Sequence, residues 1–343
     1  MAFLDIDPSV FDPASITEET KKFNKAAVDM MIGAPKWYEV GAPKYRAMRA
    51  AGETPLPAAT YLDTAEDIDI PSRDANRSIP CRVLRPQSTS KPIAGVFLHI
   101  HGGGWVLQDQ RSQDPPLQQL ANSTNLLFLS VGYRLAPEDP FPAGPNDCYD
   151  VAEHLVRHST EQFGAPLCFT GGESAGGHLA MLVALHLLQH ESSELNSFRF
   201  KGLLLHFGCF TFSWLPHMHN WRQEGPCLVL DKDLMEHYRD AFLPNWTQAT
   251  LEDPKVSPIY ADLESLRGKL PPALYTCGTE DPLLDDTIFM SAKWRAAGAE
   301  AVVKIVPGVP HGFIFFPRDN KGARAEEGMA AVEAFIARHL EGR

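Results

Sequence analysis

Residues 170–177 read TGGESAGG, directly after the apolar run PLCF and directly before HLAMLVALHLL, which has the composition of a buried helix. A strand that turns so sharply into a helix holds its central residue in a strained backbone and lifts that side chain out of the turn. The flanking glycines let neighbouring strands and the helix approach without Cβ clashes. Ser174 would therefore present its hydroxyl as a nucleophile, at the positive N-terminal end of the helix that follows. Gly-x-Ser-x-Gly alone also spells an ordinary flexible loop; the strand before it and the helix after it are what give the motif meaning.

A serine hydroxyl needs a base to take its proton, and the base needs a carboxylate to fix its tautomer. Of the thirteen histidines, His311 stands in GVPHGF, a loop after the strand-like AVVKIV, and is the expected base. Asp281 in CGTEDPLLDD follows the strand-like PALYTC and is the expected acid, with Glu280 as the alternative; Asp285 and Asp286 read as N-terminal charges of the next helix. The order Ser174, Asp281, His311 is the chain order of α/β hydrolases. An oxyanion must be met by backbone N–H groups at about 2.7–3.1 Å, and glycine lets a loop turn its amides inward that closely. HGGGW at 101–105 supplies such a loop, so the amides of Gly102, Gly103 and Ala175 are the expected oxyanion donors. Three glycines after a strand would also make a plain tight turn.

Positioning these groups requires strands that end on the same edge. The runs EDIDIP, IPCRVLRP, IAGVFLHIH and LLFLSVGYR are bounded by turn residues, and the last two are apolar throughout, as strands covered on both faces are. Beyond them, strands and helices alternate: a helix near 146–158, PLCFTG, a helix at 175–190, GLLLHFG, PALYTCG, a helix at 285–297, AVVKIV and a final helix. Alternation of this kind predicts an open, mostly parallel, doubly wound α/β sheet. In the closing helix Met329, Val332, Ile336 and Leu340 share one face, with Phe335 beside them. Residues 1–55 and 209–256 fall outside the alternation and are expected to sit together as a lid.

Taken together, HGGGW, YRLAPEDPFPA (133–143), GESAGG, SPIYA (257–261), DPLLDD and HGF resemble the hormone-sensitive-lipase-like branch, or family IV, of α/β-hydrolase carboxylesterases, over roughly residues 60–340. The resemblance implies an eight-stranded sheet with a helical cap, no cofactor, and hydrolysis of short- to medium-chain esters. It assigns 1–55 and 209–256 to the cap and 56–208 and 257–343 to the α/β-hydrolase core. Two departures are Glu173, where many members have Asp, and His178, where Asn is usual. Relatives with the same architecture include dehydratases and a hormone receptor, so elimination, lactone or amide cleavage, and pure ligand binding are the alternatives; the three relay residues present here favour ester hydrolysis. Aromatic residues Phe210, Phe212, Trp214 and Trp221 cluster in the segment expected over the serine. Any of them could simply pack, and Trp105, Phe210, Trp214 and Phe313 are the expected substrate-binding residues.

Other features read as structural. Arg134, Glu138 and Asp147 are expected to tie the YRLAPE loop to the sheet, and His99 to be a satisfied core histidine. His217 and His219 stand two apart with no cysteine or acid ligand nearby, poor zinc grammar, so no metal is expected. Hydrophobic residues make up 44% of the 343 residues and charged ones 22%, the usage of a folded globular protein. A net charge of −12 without a Lys/Arg run argues against nucleic acid as a partner. No window reaches the length of a membrane span, and the first residues lack the pattern of an export signal. The six cysteines, with no CxxC pair, suit reduced thiols in a cytoplasm. The partner expected is a small-molecule ester, and a homodimer is what relatives that pair edge strands suggest.

Overall fold

Each of the eight strand-like runs is a strand of one sheet in the computed structural model, which describes residues 6–87, 91–221 and 228–340. They are β1 (Glu66–Pro71), β2 (Ser78–Leu84), β3 (Val96–Ile100), β4 (Leu127–Val131), β5 (Leu167–Glu173), β6 (Gly202–His206), β7 (Ala273–Glu280) and β8 (Ala301–Pro310). Their order is β1-β2-β4-β3-β5-β6-β7-β8. Strand β2 runs antiparallel to β1 and β4, and every other pairing is parallel.

Alternate side chains of β3, β4 and β6 enter opposite cores. Val96, Leu98 and Ile100 of β3 join the core beneath the helices Ala143–Phe163, Ala175–Leu188 and Leu284–Ala296, whereas Phe97 joins the core beneath Asp114–Thr124 and Ala325–Leu340. All five residues of β3, β4 and β6 are buried, which is why these runs carry no polar alternation. Met329, Val332, Phe335 and Ile336 of the closing helix are buried against the sheet, as their spacing predicts. The helix Asp114–Thr124 was not foreseen: its sequence, DPPLQQLANST, opens with two prolines and is half polar. Pro at the first helical turn is compatible with a helix start, and Leu117, Leu120 and Ala121 form its buried stripe.

The N-terminal stretch divides between two supports. Helix Glu18–Met31, capped by Thr17 Oγ1 accepting the Thr20 N–H at 3.1 Å, lies along β8, where Asn24 Nδ2 donates to the Gly308 carbonyl at 2.7 Å. Further on, Trp37 stacks on Tyr238 with ring centroids 5.2 Å apart and Tyr38 on His237 at 3.5 Å. Residues 1–55 and 209–256 thus meet through helix Lys232–Phe242. Within the expected cap, residues 222–227, with Cys227, lie outside the described residues. The other five cysteines are buried and unpaired, and among the described residues no helix is long and apolar enough to cross a membrane.

Candidate active site

Three strand ends bring the expected relay residues to one edge of the sheet. Ser174 follows β5 and has φ 56°, ψ −118°, a conformation that costs an L-residue on the order of 1–3 kcal/mol. Its N–H donates to the His206 carbonyl at 2.9 Å and its carbonyl accepts the His178 N–H at 3.1 Å. Asp281, after β7, is wholly buried. Its Oδ2 accepts from His311 Nδ1 at 2.8 Å and its Oδ1 from the Leu283 N–H at 2.9 Å. With Nδ1 as donor, neutral His311 keeps a lone pair on Nε2. No hydrogen bond joins Ser174 Oγ to His311; such contacts are commonly long before substrate binds. The two are linked through Phe207, which follows the residue that accepts the Ser174 N–H and packs its ring against that of His311 at 4.7 Å. Phe207 has φ 39°, a strained setting for a bulky side chain.

Among the described residues, none accepts a hydrogen bond from the amides of Gly102, Gly103 or Ala175. Two side chains fix where the first two point. Tyr133 Oη donates to the His101 carbonyl at 2.9 Å and approaches that of Gly102 at 3.3 Å, while His101 Nδ1 donates to the Gly102 carbonyl at 2.8 Å. Because a trans peptide directs its N–H opposite to its C=O, holding these carbonyls on one side aims the Gly102 and Gly103 amides to the other. Burial pushes the His101 pKa down to about 4, so the ring stays neutral and remains a single donor. His101 and Tyr133 were missed as positioning residues, although both stand inside motifs, HGGGW and YRLAPE. At Gly103, φ is 100° and a Cβ would run into the Leu107 carbonyl; at Gly176 a Cβ would run into that of Ile100. Glycine is what lets the loop and the helix seat this closely.

Glu173, adjacent to the serine, belongs to a polar row crossing five strands. Ser130 Oγ meets His99 Nδ1 at 2.9 Å, His99 Nε2 meets the Glu173 carboxylate at 3.1 Å, and His206 Nδ1 meets Thr276 Oγ1 at 2.7 Å. Glu173 and His206 are register partners on β5 and β6. Burial opposes the charge on Glu173, but His99, His206 and Gln113 together outweigh it and hold the carboxyl below its ordinary range. His99 is thus a satisfied core histidine whose partner is the elbow itself.

The aromatic residues expected against the substrate are packed instead. Trp105 is 2% exposed, Phe210 and Phe313 0%, and Trp214 7%. Trp105 stacks on Phe242 at 4.9 Å and donates its Nε1–H to His178 Nδ1 at 3.1 Å. His178 Nε2 in turn meets the Val256 carbonyl at 2.8 Å, and burial holds its pKa at about 4. The unusual histidine of the elbow is therefore a neutral tie between the glycine loop and the segment returning from residue 256. Phe313 belongs to the core on the opposite sheet face. Asp286 does more than charge a helix start: buried, with its pKa pushed up to about 8 by desolvation, it accepts the Phe210 and Thr211 N–H groups at 2.6 and 3.1 Å. Asp285 accepts the His217 N–H at 2.9 Å.

Asp147 is buried and bridges Arg77 Nη1 at 2.6 Å and Arg134 Nη2 at 2.8 Å, while Glu138 pairs with Arg46. The YRLAPE charges are thus occupied in tying the loop down. Among the described residues, Glu153, His186 and His190 have metal-ligand types within reach of one another. Arg73 Nη2 lies 3.6 Å from that glutamate and His190 Nδ1 accepts the Ser192 N–H at 2.9 Å. A cation already neutralises the acid, and an accepting Nδ1 leaves the proton on the nitrogen a metal would need.

Comparison with known proteins agrees with this geometry. A profile described as the alpha/beta hydrolase fold matches residues 97–315. A carboxylic ester hydrolase of Mycobacterium tuberculosis is 30% identical over 298 residues, covering 85% of this chain and 75% of that protein. An ethyl acetate hydrolase of Pseudomonas putida is 28% identical over 281 residues, with 81% and 84% covered. Among solved structures, an esterase of Pyrobaculum calidifontis matches with a TM-score of 0.68 at 28% identity, over 94% of this chain and 91% of that one.

Proposed function

The chain belongs to the alpha/beta hydrolase family, in its hormone-sensitive-lipase-like branch, and on that premise we propose that it is a serine carboxylesterase that cleaves short- to medium-chain esters through an acyl-enzyme. The observation that carries the reading is the 2.8 Å hydrogen bond from His311 Nδ1 to buried Asp281, on the sheet edge where strained Ser174 stands.

In this mechanism Ser174 Oγ attacks the ester carbonyl carbon while His311 Nε2 takes its proton. Asp281 holds the imidazole in the tautomer that can accept, and stabilises the imidazolium that forms. The tetrahedral oxyanion is met by the amides of Gly102, Gly103 and Ala175, and loss of one donor costs on the order of a hundredfold in rate. His311 then protonates the departing alcohol, and water, deprotonated by the same nitrogen, releases the acid. No step calls for a metal or cofactor. Residues 1–55 and 209–256 act as the cap over this site, a reading supported by the Trp37–Tyr238 and Tyr38–His237 stacks. The cap aromatics Phe210 and Trp214, together with Trp105 and Phe313, shape the site from behind by packing. The cytoplasmic setting is supported by buried, unpaired thiols. A homodimer is part of the reading, supported by the resemblance to relatives that pair edge strands, and sedimentation velocity tests it.

The test is steady-state turnover of p-nitrophenyl esters from acetate to decanoate by wild type and Ser174→Ala. Turnover of the short esters that disappears in the alanine variant is expected. An inert wild type, or a variant as active as wild type, would overturn the reading.

A further inference from the structure

A cleft opens beside the serine that the mechanism above does not use. Its wall is apolar, built from Leu117 and Leu120 of the helix Asp114–Thr124, Met329 of the closing helix, and Ile314 and Phe315 after the base. Its polar lining is Glu173, His206 and Gln113, each more than nine-tenths buried. The cleft adjoins the reaction site in two ways: Glu173 is the residue before Ser174, and the Phe315 ring lies 6.1 Å from Phe207, whose ring packs on His311.

The three polar side chains of the lining each have an acceptor to offer. A carboxylate offers about four lone-pair sites, and the donors that reach Glu173 are His99 Nε2 and the Gln113 side chain. Gln113 gives its amide nitrogen to these neighbours and to Gln108 Oε1, which leaves its own carbonyl oxygen. His206, kept neutral by burial with a pKa of about 4, engages Thr276 through Nδ1; when Nδ1–H donates, Nε2 is an acceptor. A protonated primary amine has three N–H donors and no acceptor. The cleft leaves about 20 Å³ for a water-sized group, room for one and so for an ammonium, whereas a trimethylated counterpart is larger by three methyl groups and has no N–H to donate. The net charge of −12 draws cations toward the protein over the same range.

We propose that this cleft is a subsite for a primary ammonium group carried by the ester, so that the preferred substrates are short esters of amino acids or amino alcohols. The inference rests on the esterase reading and specifies its substrate class. The ammonium–carboxylate contact is a charge-assisted hydrogen bond, about twice as strong as a neutral one.

The experiment compares isosteric pairs by pH-stat: methyl 3-aminopropanoate against methyl butanoate for an acyl-side amine, and 3-aminopropyl acetate against butyl acetate for an alcohol-side amine. Wild type should favour the ammonium ester in at least one pair by about tenfold in kcat/KM. Glu173→Gln should bring that ratio close to one, with Glu173→Asp in between, and the trimethylammonium analogue should gain no preference. The pair that responds identifies which side of the ester enters the cleft. Ratios at or below one in both wild-type pairs, with the neutral esters turned over, would overturn the inference and leave the esterase reading intact. An undiminished ratio in folded Glu173→Gln, or equal preference for the trimethyl analogue, would also overturn it. If wild type hydrolyses none of the four esters, the esterase reading fails first and the inference falls with it. The wild-type ratios decide the matter even where a Glu173 variant does not fold.

Discussion

Replacing Asp281 by Asn tests the relay at the point where the structure is most explicit. Asp281 accepts the Leu283 N–H on Oδ1 and the His311 Nδ1–H on Oδ2, and the Cys277 thiol hydrogen-bonds to it as well, so its partners are donors. Asparagine has one acceptor oxygen and one NH2. If its oxygen keeps Leu283, the NH2 meets His311 Nδ1, which must then become an acceptor and move its proton to Nε2. If the amide flips to serve His311, two donors face each other at Leu283 in a site with no solvent exposure, at a cost of about 1–3 kcal/mol. The first arrangement wins, and it leaves His311 with a proton on the nitrogen that should accept one from Ser174. A relay in the wrong tautomer loses about 10⁴-fold in kcat, or roughly 5 kcal/mol of transition-state stabilisation at 1.36 kcal/mol per decade. The assay is kcat/KM on p-nitrophenyl butyrate with a thermal melt of the same preparation. Glu280→Gln, which leaves the Asp281–His311 bond in place, should stay close to wild type. A loss of under about tenfold in folded Asp281→Asn, or a comparable loss in Glu280→Gln, would refute the assignment of the acid.

Three further outcomes are expected. Asp286 has a folded pKa of about 8 against an ordinary value of 3.8, so the fold favours its protonated form, and stability from this group is greatest at low pH and falls as pH rises between those values, at about 1.36 kcal/mol per unit. Asp286→Asn keeps the acceptor for Phe210 and Thr211 and removes that dependence: its melting temperature should gain on wild type from pH 5 to pH 9, and a pH-independent difference would contradict the argument. Trp105→Phe removes the donor to buried His178 Nδ1 and should cost about 1–3 kcal/mol in urea unfolding; an unchanged midpoint would mean that the indole bond contributes nothing. Gly176→Ala sets a methyl against the Ile100 carbonyl, whereas at Gly177 the nearest atoms lie at 3.2 Å, so the first variant should lose folded yield and the second should remain measurable by circular dichroism.

The central sheet was legible because β3, β4 and β6 are short apolar runs whose burial on both faces leaves little freedom of composition, whereas the mostly exposed edge strand β1 was marked by its bounding turn residues. The positions of the proposed relay were legible for a related reason: Ser174, Asp281 and His311 each come directly after a strand, so recognising the strand locates the residue. Helix Asp114–Thr124 escaped because Pro115 and Pro116, read locally, break a pattern, whereas at a helix start they leave no hydrogen bond unmade. The four aromatic residues expected to touch substrate show the opposite difficulty. Their positions in the chain are near the site, but the side on which a ring packs is decided by partners far away in sequence, as Trp105 is by His178 and Phe242.

The polar row beneath the serine was beyond sequence reading for a more general reason. Ser130, His99, Glu173, His206 and Thr276 come from five separate runs, each a polar residue in a largely apolar strand, and read one run at a time nothing pairs them. Only the register makes them neighbours: Ser130 opposite His99, Glu173 opposite His206, His206 opposite Thr276. A one-residue slip in any of these pairings would turn a member to the other face and leave its partner buried without a hydrogen bond, so the row itself helps to fix the register that it depends on. The same dependence bears on the choice of Glu at 173. Its carboxylate must reach both across to His99 on β3 and into the cleft beside His206 on β6, and a side chain shorter by one methylene has to give up part of one contact. That is why Glu173→Asp is expected to fall between wild type and Glu173→Gln in the ammonium preference rather than match either.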